Sequence, residues 1–95
     1  MVWHNCKVDT FYYDDEADTD SPCEVRIDGD VIVVSYDGDD GPIIYKGQAK
    51  GAGHFELRST DVDGRATLHM FEGGKSLEGF WIEDGIKGMW RIALG

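Results

Sequence analysis

The chain has 95 residues, 13 of them glycine, and a formal net charge of −10, so it is long enough for one domain, residues 1–95, and too short for separate cofactor and substrate domains. Binding to nucleic-acid phosphates or to anionic membranes needs a concentrated basic surface. Because the nine Lys and Arg residues are scattered along the sequence, we expect neither nucleic acid nor a membrane among the partners.

The first predicted element is a strand over 2–13, where polar and apolar residues alternate. The same N-terminal residues lack a charged region followed by an apolar stretch of the kind that directs export, so we expect a cytoplasmic protein. Residues 14–22 hold five acidic side chains that repel one another, which predicts a solvated loop.

A hairpin is predicted next, from 23–27 and 31–36, because Asp28-Gly29 favours a tight turn and the second segment is continuously apolar. A second acidic loop follows at 37–42. Five more strands are then predicted at hairpin spacing, over 43–49, 53–60, 65–71, 76–83 and 86–94. This order predicts an all-β domain, a small antiparallel meander of about eight strands that forms a closed or partly closed β-barrel. The alternative is a two-sheet β-sandwich.

The pattern Gly-x-Trp occurs twice, as Gly79-Phe80-Trp81 and Gly88-Met89-Trp90, on either side of an Asp84-Gly85 turn. A two-residue turn there places Trp81 opposite Gly88 and Trp90 opposite Gly79, so that each indole covers a glycine. Counting back through the earlier turns predicts three inward rows: Tyr45, Leu57, Leu68, Gly79 and Trp90; Gly47, Phe55, Met70, Leu77 and Ile92; and Ile43, Ser59, Ala66, Trp81 and Gly88.

Gly-x-Trp near a strand resembles the calycin signature of lipocalin-like barrels. In calycins the motif lies on the first strand, and a basic residue of the last strand packs on the indole. Here both copies of Gly-x-Trp lie on the last two predicted strands. The resemblance therefore concerns the fold alone, and it assigns no site residue and no family.

The interior of a narrow barrel is the first candidate site, because large side chains fill it. We predict a small acidic, non-enzymatic module that binds a small apolar ligand or a protein partner, including a second copy of itself. The ligand-binding candidates are Trp81, Trp90, Tyr45 and Met70. Exposed apolar patches mark partner surfaces, and the interface candidates on the outer face are Phe80, Met89, Ile82 and Ile44.

The outer face also carries a predicted row of facing charges: Lys46, Glu56, His69, Glu78 and Arg91. A histidine between carboxylates suits general-base chemistry, so an enzyme that uses Glu56, His69, Glu78 and Arg91 is one alternative function. Facing opposite charges also stabilise an ordinary solvent-exposed face, by about 0.2–1 kcal/mol per pair, and the pattern favours that interpretation. A second alternative is an acidic inhibitor or decoy whose acidic loops bind a basic protein.

We predict no cofactor and no metal site, because the sequence lacks nucleotide-binding and catalytic motifs and neither acidic loop has EF-hand spacing. Cys6 and Cys23 lie on two predicted strands and are seventeen positions apart, which is no Cys-x-x-Cys redox motif. We expect reduced interior thiols, with a structural disulfide as the alternative.

Overall fold

The computed structural model describes residues 1–14 and 16–95, which form eight strands. In chain order these are β1 (Val2–Tyr12), β2 (Ala17–Asp28), β3 (Val31–Gly38), β4 (Gly41–Gly51), β5 (His54–Ser59), β6 (Gly64–His69), β7 (Ser76–Glu83) and β8 (Ile86–Ala93). Within the described residues, no helix has the length and apolar character needed to cross a bilayer.

Each strand pairs antiparallel with the next, and β8 pairs with β1, so the sheet closes into a barrel. The closing pairs extend from Lys7 opposite Ala93 to Tyr12 opposite Gly88. The predicted all-β meander is confirmed, as one closed barrel rather than two packed sheets. Closure gives the first and last strands partners on both sides and directs alternate side chains inward.

The last hairpin has the predicted register, with Trp81 opposite Gly88 and Trp90 opposite Gly79. Its turn residues Asp84 and Gly85 have φ of 52° and 82°, as a type I′ turn requires. The Trp81 indole also donates a hydrogen bond of 3.3 Å to the backbone carbonyl of the neighbouring strand. Sequence and structure therefore agree most closely at this hairpin.

Two other registers are wrong by two residues. Gly47 lies opposite Leu57 rather than Phe55, and Leu57 lies opposite Ala66 rather than Leu68. The membership of the predicted rows is therefore changed, but the residues of β4, β5 and β6 that were predicted to face inward still do so, because a shift of two keeps each side chain on its own face of the sheet.

The two register errors arise at the turn between β4 and β5 and at the turn between β5 and β6. Between β4 and β5 a bulge occurs between Ala49 and Gly51, so the turn residues are displaced toward the C-terminus. Between β5 and β6, Ser59 pairs with Gly64, so this turn begins one residue earlier than predicted. The position and length of a loop set the register of a hairpin. The β5–β6 connection contains Asp63-Gly64, but Gly64 pairs with Ser59 as a strand residue, so this dipeptide does not mark the centre of the turn.

The predicted acidic loop over 14–22 is wrong from Ala17 onward, because β2 begins at Ala17, which pairs with Phe11 of β1. Asp15 lies outside the described residues. The pairing is irregular near Asp20, whose φ is 56° and whose backbone N–H donates a hydrogen bond of 2.8 Å to Asp9 Oδ1. The acidic side chains Asp18 and Asp20 stay exposed although they lie on a paired strand, so the pairing does not bury their charges.

The barrel interior is filled from every strand, and the fully buried side chains include Tyr45, Ile32, Leu57, Leu68, Leu77 and Ile92. Cys6 and Cys23 lie opposite each other on β1 and β2 as buried free thiols. Burial, followed by the proximity of Cys6, raises the pKa of the Cys23 thiol to about 12. The Cys23 sulfur is therefore protonated at neutral pH.

Candidate ligand-binding cavity

One end of the barrel contains a cavity of about 290 Å³, here called the mouth cavity. It lies where β1, β3 and β7 end, and side chains from β2, β4 and β8 complete its lining. The volume is at the lower limit of small-molecule sites, which is about 300 Å³. The mouth cavity is therefore large enough for a ligand of a few heavy atoms.

Four aromatic rings line the mouth cavity: Tyr12, Tyr36, Trp81 and Trp90. Tyr12 meets Trp81 edge-on, with ring centroids 5.4 Å apart, and Tyr36 meets Trp90 edge-on at 6.2 Å. The two indoles lie 6.4 Å apart and are tilted by 31°. Edge-to-face contacts of this kind hold aromatic rings in fixed orientations, so the lining is a packed aromatic cluster.

Glu83, at the end of β7, joins this cluster to two strands on the other side of the barrel. Its Oε1 accepts hydrogen bonds from the Tyr45 hydroxyl at 2.7 Å and the Tyr36 hydroxyl at 3.2 Å. Burial and the adjacent Glu83 carboxylate raise the pKa of both phenols. Both tyrosines therefore remain hydrogen-bond donors to Glu83 across the neutral range.

Three exposed carboxylates surround the opening, namely Asp18, Asp37 and Asp39. The Tyr12 hydroxyl donates a long hydrogen bond of 3.4 Å to Asp18 Oδ2. Burial and the Asp18 charge raise the pKa of Tyr12 as well. The mouth cavity thus combines apolar ring surfaces with a negatively charged rim.

The chain was compared with protein families, curated proteins and solved structures. No family model, curated protein or solved structure matches it. The function must therefore be argued from the geometry of this barrel.

The four predicted ligand-binding residues do not occupy one site. Trp81 and Trp90 line the mouth cavity, each with only 4% of its surface exposed. Tyr45 is fully buried behind them, with its ring 5.1 Å from that of Trp90. Met70 follows β6 and is half-buried at another part of the barrel, where its backbone N–H donates to Gly53.

Tyr12, Tyr36 and Glu83 are lining residues that the sequence did not single out. Tyr12 and Tyr36 lie on strands whose neighbours in the closed barrel, β8 and β4, set their positions relative to the indoles. Glu83 ends a strand beside the Asp84-Gly85 turn, where an acidic residue is ordinarily solvent-exposed. The only indication in the sequence was that Tyr12 and Tyr36 lie near the C-terminal ends of two predicted strands, 2–13 and 31–36.

The predicted outer apolar surface is only partly continuous. Phe80 and Met89 face each other on β7 and β8, and Phe11 of β1 faces Met89 on its other side. We call Phe11, Phe80 and Met89 the apolar patch. Ile44 is exposed elsewhere, opposite Ser35 on β3, and Ile82 lies opposite Arg65. The two-residue register shift separates Ile44 from Phe80 and Met89, with which it was predicted to form one surface.

The predicted row of alternating charges is also changed by the register shift. His69 lies opposite Glu78, and Glu78 opposite Arg91, as predicted, and Arg91 Nε donates a hydrogen bond of 3.0 Å to Glu78 Oε1. The other neighbour of His69 is His54 rather than Glu56, with 3.1 Å between their Nδ1 atoms. Arg91 and Glu78 line one shallow outer depression and Glu56 lines another, so the candidate catalytic residues do not converge.

Basic side chains form a row of their own on the outer face. Lys46 lies opposite Arg58, Arg58 opposite Arg65, and Ile82 separates Arg65 from Lys87. We call these four cations the basic row. These cations are scattered in the sequence, and strand pairing brings them together. Like charges that face each other across strands are destabilising. The expectation that nucleic acid is not bound stays a prediction.

A metal centre finds no support in the described part of the chain. Within residues 1–14 and 16–95, no three His, Cys, Asp or Glu side chains converge closely enough to hold a metal ion. His54 and His69 approach each other on the outer face, but two imidazoles fall short of the three or four ligands that zinc requires.

Proposed function

We propose that this protein is a non-enzymatic binding module that holds a small ligand in the mouth cavity, against Trp81 and Trp90. The observation that carries the proposal is the cavity itself, which reaches both indoles from the open end of the barrel. Ligand sites are typically concave, mostly apolar and lined by a few directed polar groups. The aromatic cluster supplies the apolar surface, and Glu83 supplies a fixed polar group.

The rigidity of the lining supports this proposal. Tyr45 holds Glu83 from the buried side and also packs edge-on against Trp90. A lining that is already ordered loses little conformational entropy when a ligand binds. The barrel therefore suits a ligand that enters a site formed in advance.

Intrinsic tryptophan fluorescence tests the proposal in a Trp3→Phe background, in which Trp81 and Trp90 are the only tryptophans. Trp3 does not line the mouth cavity, so its removal leaves the site intact. Neutral apolar probes such as cyclohexanol and toluene, together with small organic ions, are titrated. A saturable change in emission supports the proposal, and no change with any probe contradicts it.

A matched pair of variants locates the ligand. Ser21 is half-buried in the lining, so Ser21→Trp fills the cavity. Ser76 is exposed on β7 away from the lining, so Ser76→Trp adds the same side chain without entering the site. We expect binding to be lost in the first variant and kept in the second. Equal binding by both variants would place the ligand elsewhere.

The apolar patch supports a second candidate, self-association. Phe80 and Met89 keep 39% and 45% of their surface exposed and face each other across two strands. Sedimentation velocity of the wild type and of Phe80→Ser tests it. Phe71→Ser is the control, because Phe71 is 90% exposed outside the patch. A monomer at all concentrations contradicts self-association.

A further inference from the structure

We propose that the ligand of the mouth cavity is a small organic cation, an ammonium compound whose charge lies among the aromatic rings and near Glu83. This inference rests on the proposed function and specifies the chemical class of the ligand. Its basis is the combination, in one cavity, of aromatic rings in crossed orientations with carboxylates, of which Glu83 is held by two tyrosine hydroxyls and the others are exposed at the rim.

The rings provide the first argument. Tyr12 is turned 87° from Trp81, and Tyr36 is turned 83° from Trp90, so the lining presents ring planes in roughly perpendicular directions. The face of an aromatic ring carries partial negative charge and attracts cations within about 6 Å of its centroid. Several such rings around one space form the aromatic cage that recognises quaternary and methylated ammonium groups.

The hydrogen bonds around the cavity provide the second argument. The Tyr36 and Tyr45 hydroxyls donate to Glu83, and the Tyr12 hydroxyl donates to Asp18. Their protons are therefore directed at carboxylates, and the phenol oxygens keep lone pairs as acceptors. Tyr12 and Tyr36 line the cavity, whereas Tyr45 is buried behind it. An anionic ligand would meet the acceptors of Tyr12 and Tyr36 and be repelled, whereas an ammonium group is attracted to them.

Charge provides the third argument. Among the described residues of the lining, four are acidic (Asp18, Asp37, Asp39 and Glu83) and none is Lys, Arg or His. The cations of the basic row lie on the outer face instead. A cleft with charges of one sign and low-dielectric walls concentrates ligands of the opposite sign. The net charge of −10 acts in the same direction.

The decisive comparison uses two probes of nearly equal shape, choline and its neutral isostere 3,3-dimethylbutan-1-ol. Both are titrated at low ionic strength into the Trp3→Phe protein, with fluorescence and calorimetric detection. We expect choline to bind at least tenfold more tightly than the alcohol, and added sodium chloride to weaken choline alone.

The outcomes separate this inference from the proposed function. If the alcohol binds as tightly as choline, the cavity is an apolar site, the inference is overturned and the proposed function stands. If only neutral apolar probes bind, the same conclusion follows. If neither choline, the alcohol nor any other probe binds, both proposals fail.

The role of the carboxylates is tested with three amide variants, each of which closely matches the shape of the residue it replaces. Asp39 lines the cavity, and its neighbour Asp40 is exposed outside the lining. Asp39→Asn and Asp40→Asn change the net charge equally, so only the first should weaken choline, by severalfold. Glu83→Gln keeps an acceptor for the tyrosines but removes the charge, so it should reduce the affinity for choline by a larger factor than the affinity for the alcohol. Equal choline affinity in the wild type and all three variants would overturn the inference.

Discussion

Tyr45 donates a hydrogen bond of 2.7 Å to Oε1 of Glu83, 38 residues away along the chain. This contact connects β4 to β7 across the barrel, beside a second hydrogen bond from Tyr36 to the same oxygen. It ties a buried residue of the interior to the polar end of the mouth cavity.

Replacement of Tyr45 by Phe removes this hydrogen bond and keeps the ring. Hydrogen bonds to charged groups contribute about 1.5–3 kcal/mol, so we expect the free energy of unfolding to fall by that amount. Urea denaturation followed by far-UV circular dichroism measures it. Tyr13→Phe is the control, since Tyr13 is 84% exposed, and it should change stability by less than about 0.5 kcal/mol. Equal losses in the two variants would contradict the structural role of Tyr45.

Alkaline pH should destabilise the barrel. Burial raises the pKa of Tyr36 and Tyr45 above the ordinary 10.0, and that of Cys23 from 9.0 to about 12. Above about pH 9 the unfolded chain therefore loses protons that the folded chain retains, and the free energy of unfolding falls as pH rises. Below pH 9 these groups contribute no pH dependence.

Urea denaturation at pH 8, 9, 10 and 10.5 checks this dependence. Each such group contributes up to about 1.4 kcal/mol per pH unit between its unfolded and folded pKa. Tyr36→Phe should make the decline shallower, because one of the retained protons is then absent. A decline that begins at pH 9 and is equally steep in Tyr36→Phe and the wild type would argue against the role of Tyr36.

The two thiols should be unreactive in the folded protein. Cys6 and Cys23 are 0% and 6% exposed, and only the thiolate of a cysteine is an effective nucleophile. At pH 8 we expect Ellman's reagent to modify both rapidly in 8 M urea and at least a hundredfold more slowly in buffer. Glutathione at the same pH is the matched free thiol. Fast modification of the native protein would show that the β1–β2 pair opens readily.

Charge reversal within the basic row should stabilise the protein. Arg58 faces Lys46 and Arg65, so Arg58→Glu converts two repulsive pairs into attractive ones. We expect a gain of about 0.5–1 kcal/mol at low salt, which diminishes in 1 M sodium chloride. Lys75→Glu makes the same change of net charge in the segment between β6 and β7, outside the row. If the two variants have equal stability, the row carries no specific repulsion.

The sequence predicted the inward and outward sets of residues well because alternation along a strand is a local property. It also predicted the β7–β8 register, since Asp84-Gly85 specifies a two-residue turn. The registers around His54 and Glu56 were wrong because a bulge displaces the β4–β5 turn, and because Gly64 of Asp63-Gly64 lies in β6, so that the β5–β6 turn begins one residue earlier than predicted. These errors changed which residue lies beside His69.

The sequence by itself determined the class of this protein: an acidic, all-β chain in which Trp81 and Trp90 face inward. Only the tertiary structure decided that β1 pairs with β8, and this closure brings Tyr12 edge-on to Trp81. It also decided that Glu83 accepts hydrogen bonds from Tyr36 and Tyr45, and that four scattered cations form one row. The physical reason is that alternation and turn chemistry act over a few residues, whereas cavity shape and charge clustering arise from the summed registers of all eight strand pairs.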